Sequence, residues 1–197
     1  MPDHRHTFTG ILLAAGRGSR FDASGRQDKL LQSLPTGDAV VAASAKNLLA
    51  VLPKVVAVVR PGAENVAARL QALGCEVTVC ATAEQGMGAS LVHALSLASD
   101  AAGWLVALGD MPFVRQETLQ TLVSALQQGA GIVAPLYRGR RGNPVGFNRS
   151  YLPQLLELGG DQGARRLLQQ FPVTEIPVND PGVALDIDMP ADLAAQG

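Results

Sequence analysis

A chain of 197 residues, 47 % apolar and 17 % charged, carries enough apolar material for one sizeable domain and is not the composition of a disordered polymer. Its formal net charge of −1 argues against a nucleic-acid binder, which shows a basic excess, and no apolar run approaches the roughly 20 residues of a membrane span. The opening Met-Pro-Asp-His-Arg-His-Thr lacks the apolar region of a secretory signal, so residues 1–8 read as a tail on a single cytoplasmic domain that occupies residues 1–197.

Ile11 to Ala14 is an apolar run too short for a helix and suited to a buried strand. Gly16 and Gly18 then end regular structure and bare backbone N–H groups, which after a strand form a concave nest for anions. Arg17, Arg20 and Lys29 add positive charge beside it, so the stretch from Gly10 to Lys29 reads as a phosphate site. It is neither of two familiar phosphate loops. The Gly-Lys-Ser/Thr ending of the Walker loop is missing, and Phe21 stands where the dinucleotide fingerprint needs its third glycine. Read plainly, the same stretch is a glycine-rich surface loop with solvated arginines.

Val41, Ala45, Leu48 and Leu52 mark a helical face that Pro53 closes, and Val55 to Val59 is β-branched throughout most of its length, as in a strand buried on both sides. A second helical stripe, Val66, Leu70 and Leu73, stops at Gly74, a good residue just past a helix end. Cys75 and Cys80 flank the next strand, Glu76 to Cys80. Their odd separation puts them on opposite faces, so they read as two buried thiols of a reducing compartment rather than a disulfide. Further on come a helix through Leu91, Ala94, Leu95 and Ala98, a strand at Trp104–Leu108, a helix through Leu119, Leu122, Val123 and Leu126 that stops near Gly129, and a strand at Ile132–Leu136. This alternation predicts a mostly parallel sheet with helices on both faces, a three-layer α/β sandwich of Rossmann type. The last third is expected to add strands at Val145–Phe147, Val173–Val178 and Ala184–Asp188, helices at Leu152–Leu158 and Ala164–Phe171, and a helical turn opened by Pro190.

Five further segments carry candidate chemistry. Gly109-Asp110-Met111-Pro112 follows a buried strand directly, where open α/β sheets bind ligands. An aspartate there can hold Mg²⁺, although it can also cap the next helix. In Leu185-Asp186-Ile187-Asp188-Met189-Pro190 an extended backbone would place Asp186 and Asp188 on one face, ~6–7 Å apart by strand rise; like charges so close call for a cation or donors. Gln85-Gly86-Met87-Gly88-Ala89-Ser90 would let a ligand approach the backbone, with Ser90 offering a hydroxyl, or would simply cap a helix. His93, one turn on, reads as a partly exposed helix residue. Arg138-Gly139-Arg140-Arg141-Gly142-Asn143-Pro144 is either a solvated hairpin turn or an anion-receiving lip. In Gly159-Gly160-Asp161-Gln162-Gly163-Ala164-Arg165, Asp161 suits a helix cap and Arg165 a phosphate contact.

Taken in order, Leu13-Ala14-Ala15-Gly16 with Arg20 and Lys29, Gly86-Met87-Gly88-Ala89-Ser90-Leu91, Gly109-Asp110-Met111-Pro112, Arg141-Gly142-Asn143-Pro144-Val145, Gly160-Asp161-Gln162-Gly163-Ala164-Arg165 and Asp186-Ile187-Asp188-Met189-Pro190 resemble the MobA-like nucleotidyltransferases. Within these, the segments are most similar to the molybdenum cofactor cytidylyltransferases. The resemblance covers nearly the whole chain. It implies transfer of CMP from CTP to the terminal phosphate of molybdopterin with release of pyrophosphate, and a molybdenum hydroxylase as a candidate recipient of the product. It implies nucleotide contacts at Leu13, Ala14, Ala15, Gly16, Arg17, Gly18, Gly86, Ser90 and Asp110, and triphosphate binding by Arg20 and Lys29. Mg²⁺ would be held by Asp110 and Asp188 with Asp186 nearby. The acceptor would lie against Arg140, Gly142, Pro144, Asp161, Gly163 and Arg165. Guanylyltransferase relatives carry glycine where Ala15 stands, which implies cytosine over guanine. The loop from Phe21 to Asp28 is longer than the family's, so Arg26 is a second candidate for the role of Lys29. Rival readings are a related transferase acting on a sugar phosphate or other small phosphate, and a non-catalytic cofactor-binding chaperone. A nicotinamide oxidoreductase is the weakest, given the missing glycine.

Overall fold

A computed structural model of the chain describes residues 7–22, 26–159 and 163–194. The first two thirds alternate as expected: β1 (Phe8–Ala14), α1 (Val40–Leu49), β2 (Val55–Val59), α2 (Glu64–Ala72), β3 (Glu76–Val79), α3 (Met87–Leu97), β4 (Gly103–Leu108), α4 (Gln116–Gln127) and β5 (Ile132–Tyr137). β6 (Arg140–Arg141), β7 (Val145–Asn148), α5 (Leu152–Leu156), α6 (Arg165–Gln170) and β8 (Thr174–Pro177) complete the regular elements. Among the described residues they form an eight-stranded sheet in the order β3-β2-β1-β4-β7-β5, with β6 and β8 also paired to β5. β1 pairs in parallel with β2 and β4, β2 with β3, and β5 with β8. β7 is antiparallel to both β4 and β5, so the sheet is mixed but mostly parallel.

Strand alternation divides the core in two. Leu12, Ala14, Val55, Ala57, Val59 and Leu105 face α1, α2 and α4. Ile11, Leu13, Val56, Val58, Trp104 and Val106 face α3, α5 and α6. Both faces of the central strands are therefore dry, which is why their sequences are continuous apolar runs rather than alternating ones. Cys75 joins the first core and Cys80 the second; both are free thiols. Burial pushes the Cys75 thiol up to about 11, so it stays protonated and unreactive.

Two expectations change, and a third is decided between its alternatives. β1 begins at Phe8, whose backbone pairs with Gly103 and whose ring is buried, so the tail of residues 1–8 gives up its last residue to the sheet. The turn at 138–144 is a hairpin whose returning arm, β6, pairs antiparallel with β5. Ala184–Asp188 is not a strand: a 3₁₀ turn, Pro181–Ala184, leads into an irregular segment. Pro181 has no N–H to give a ladder, Asp180 takes the N–H of Gly182, and Ile187 donates its N–H to the Asp110 carbonyl. Within the span itself Leu185 N–H goes to the Gly182 carbonyl and Asp188 N–H to the Asp192 carboxylate, so these donors are not spent on a strand ladder. The final helical turn is 3₁₀, Pro190–Ala194. No helix among the described residues is long and apolar enough to cross a membrane.

Candidate functional site

The chain reverses its direction of travel across the sheet between β1 and β4. β2 and β3 lie to one side of β1, and β4 to the other. The loops leaving β1 and β4 therefore diverge and leave a crevice at the carboxyl ends of the strands, as the topology of open α/β sheets requires. A cleft of about 1400 Å³ occupies that position. Leu13, Ala14, Ala15, Gly16, Arg17, Gly18 and Arg20 line it from the first loop, and Gly86 and Ser90 from the start of α3. Lys29, Asp110 and Asp188 complete the predicted residues on its surface. Segments separated by most of the chain thus converge on one space. Arg17 donates to Glu84 at 3.0 Å across the mouth. Both side chains are about 70 % exposed (72 % and 70 %), so solvent screening leaves that pair little energetic weight.

Charge is concentrated at one end. Asp110, Asp186 and Asp188 each present a carboxylate oxygen, and these oxygens all lie within 4.8 Å of one another. Asp186 is the exposed member; burial first, and then the charge of Asp188, holds its carboxyl above the ordinary aspartate range. The Lys29 ammonium donates to Asp110 at 2.6 Å and to Asp188 at 3.3 Å. Arg20 donates to the other oxygen of Asp188. Lys29 is buried, with 10 % of its side chain exposed, and its stem lies against Gly18. An all-oxygen carboxylate set of this kind suits a hard divalent cation.

The supports of this arrangement escaped the sequence reading. Asp28 caps the 3₁₀ turn Lys29–Leu31 by accepting from Leu30 N–H at 3.0 Å, and its other oxygen takes Arg60 at 3.0 Å. Arg60 follows β2 directly and lines the cleft. The rule that singled out Asp110, a polar residue just past a buried strand, applies to it equally. On α1, Ser44 donates to the Gly109 carbonyl at 3.0 Å, and Asn47 to the carbonyls of Pro112 and Val114 at 3.1 and 2.9 Å. A polar Ser44 among Val41, Ala45 and Leu48 on a core-facing stripe was the available signal. Asp192 accepts from the N–H groups of Asp188 and Met189 at 2.9 and 2.7 Å. These two bonds hold its carboxyl below the ordinary range, so the turn keeps this support at neutral pH and loses it only as pH falls through that lowered value.

The residues expected to meet an acceptor do not all reach the cleft. Arg140 is exposed on β6. Gly142 packs on Val183 so closely that a Cβ would sit 2.3 Å from the Val183 carbonyl oxygen; glycine is needed there for close approach, not for a ligand. Pro144 is buried and borders a small internal void with Ser44 and Asn47. Arg165 is exposed at the start of α6. Gly163 lies against Met87, which lines the cleft, so Gly163 stands next to the rim. Asp161 lies outside the described residues.

The family model described as the MobA-like NTP transferase domain matches residues 10–175. The bifunctional protein GlmU of Cereibacter sphaeroides is 34 % identical over 131 residues, which are 66 % of this chain and 28 % of GlmU. The chain therefore spans under a third of that relative's length. The purine catabolism protein PucB of Bacillus subtilis is 29 % identical over 119 residues, 58 % of this chain and 57 % of PucB. Among solved structures, Rv0371c of Mycobacterium tuberculosis H37Rv superposes with a TM-score of 0.83 at 29 % identity over 95 % of both chains. A manganese complex of Rv0371c aligns with a TM-score of 0.79 at 27 % identity, over 97 % of this chain and all of that one.

Proposed function

Because the chain belongs to the MobA-like NTP transferase domain family, and is on that ground a nucleotidyltransferase, we propose that it transfers CMP from CTP to the terminal phosphate of molybdopterin and releases pyrophosphate. The observation that carries the reading is the convergence on one cleft of a glycine-lined, cationic loop (Ala15 to Arg20, with Lys29) and of Asp110 and Asp188, whose carboxylates lie beside that of Asp186. The cleft exceeds the roughly 300–1000 Å³ of an ordinary single-ligand pocket, which suits two substrates.

In-line displacement at phosphorus is mainly positioning and charge neutralisation. The backbone from Ala15 to Gly18 receives the triphosphate, and Arg20 and Lys29 bind its oxygens. Asp110 and Asp188, with Asp186 beside them, would hold Mg²⁺, and the three carboxylate oxygens fit an oxygen-preferring cation. When bound, that ion neutralises charge on the phosphate oxygens. The attacking phosphate is already ionised, so no general base is required of this chain. Ala15, Gly86 and Ser90 contact the base; the methyl of Ala15 crowds a purine more than a cytosine. Wild-type protein is expected to use CTP over GTP in a competition assay of pyrophosphate release, and Ala15→Gly to narrow the gap. A wild-type preference for GTP would refute the base assignment.

Asp192 bears on the same centre through the turn it ties. Asp192→Ala is expected to weaken Mn²⁺ binding on the order of ten-fold, as removal of outer-shell support does at metal sites, with Asp192→Asn retaining most of it. Unchanged Mn²⁺ titrations for the alanine variant would remove Asp192 from the account.

A second reading keeps the chemistry and changes the acceptor to a sugar phosphate or another small phosphate. It is favoured by Gly142 and Pro144, which pack internally rather than facing the cleft. Pyrophosphate release with CTP and a panel of acceptor phosphates separates the two.

A further inference from the structure

Lys29 stands in a place where, on the reading above, a cation is also wanted. Asp110 and Asp188 supply two of the three clustered carboxylates, and the Lys29 ammonium engages both, at 2.6 and 3.3 Å. Arg20 adds a second positive group on Asp188. Three carboxylates this close repel one another unless compensated; Lys29 supplies such compensation from within the chain.

The position is built rather than incidental. Asp28 caps the turn that begins at Lys29, and Arg60 holds Asp28. The lysine stem is nearly enclosed, while the Arg20 side chain is 77 % exposed. Lysine is a compact charge on a flexible four-carbon stem, so its head can change partner while its backbone stays fixed. An ammonium and a dication drawn to the same two carboxylates oppose each other by like-charge repulsion.

We propose that Lys29 is a resident counter-cation that exchanges partners: without nucleotide it occupies the acidic cluster and weakens its hold on divalent metal, and an arriving triphosphate draws the ammonium away and frees the carboxylates. The inference rests on the metal assignment above and adds a regulation to it. Metal and triphosphate then favour each other's binding, and linkage makes that favour reciprocal. The chain is spared a tightly bound metal when no nucleotide is present.

The test is binding of Mn²⁺ alone, followed by the electron paramagnetic resonance signal of the free ion, with no nucleotide present. Lys29→Met, which keeps the stem and removes the charge, is expected to bind Mn²⁺ about ten-fold more tightly than wild type, within the usual range of coupling between sites. Its melting temperature is expected to be lower than wild type without metal and to rise further on adding Mn²⁺. Lys29→Gln removes the charge, keeps a hydrogen-bond donor one bond short of the lysine head, and replaces Lys29→Met should the latter not fold. Equal or weaker Mn²⁺ binding in the Lys29 variant overturns the exchange. Asp110→Asn separates that failure from the underlying one: if it binds Mn²⁺ as tightly as wild type, the metal assignment itself is wrong, whereas its loss of binding leaves that assignment standing whatever Lys29 does.

Discussion

Replacement of Asp110 by alanine is expected to lower nucleotidyl transfer by on the order of 10³-fold while leaving the protein folded. The size follows from removing a preorganised charge where charge develops in the reaction, a loss commonly worth two to three orders of magnitude. The fold is expected to survive for local reasons. The Asp110 side chain is one-fifth exposed, and its loss leaves Lys29 with Asp188 at 3.3 Å. The contact that ties this loop to the C-terminal segment is made by the Asp110 carbonyl, which accepts from Ile187 N–H at 2.9 Å and is untouched by the substitution. The melting temperature is therefore expected within a few degrees of wild type. Pyrophosphate release at saturating CTP and Mg²⁺ is the measurement. Normal turnover in this variant would defeat the assignment of the acidic cluster, and collapse of the fold would assign Asp110 a structural role instead.

How much of this was legible in the sequence depends on how local the cause was. Val55 to Val59 could be read as a strand because burial on both faces leaves an unbroken apolar run, and the strand is found at those residues. Asp110 could be picked out because its position past β4 is one where such sheets bind ligands. Asp186 and Asp188 were singled out by a period of two, which an extended but unpaired segment shares with a strand. Their proximity is real, yet its cause is the bond from Ile187 to Asp110 and the tie by Asp192, neither of which any local pattern contains. Gly142 and Pro144 show the opposite failure. Arginines beside them suggested a binding lip, whereas Val183, far along the chain, packs against Gly142. Arg60, a polar residue directly after the apolar run of β2, stands just past its strand as Asp110 does past β4.

Asp180 is the residue least visible in the sequence and the one expected to matter most for folding. It is 2 % exposed. One carboxylate oxygen accepts from Arg115 N–H at 2.9 Å and Thr118 Oγ1 at 2.7 Å, and the other from Gly182 N–H at 2.9 Å. These bonds clamp the start of α4 to the turn that leads to Asp186 and Asp188. The contact beside them is tight: a Cβ on Gly182 would lie 2.1 Å from the Phe113 carbonyl oxygen. Asp180→Ala strands three donors, two of them in buried bonds and one in a half-buried bond; at roughly 1–3 kcal/mol for each buried donor left unsatisfied, the loss is about 3–5 kcal/mol. Against a total stability of roughly 5–15 kcal/mol, that is a large fraction, and for a chain of this length it corresponds to a fall in melting temperature of about 10 °C. Folded Asp180→Ala protein, assayed well below its transition, is further expected to bind Mn²⁺ more weakly, because the segment carrying two of the three carboxylates has lost its anchor. Asp180→Asn keeps the shape but turns an amide toward a donor, so it should fall between wild type and alanine in both measurements. A melting temperature for Asp180→Ala within about 2 °C of wild type would mean that the turn at Pro181–Ala184 is held by its packing against Phe113 and Val114 and not by this carboxylate.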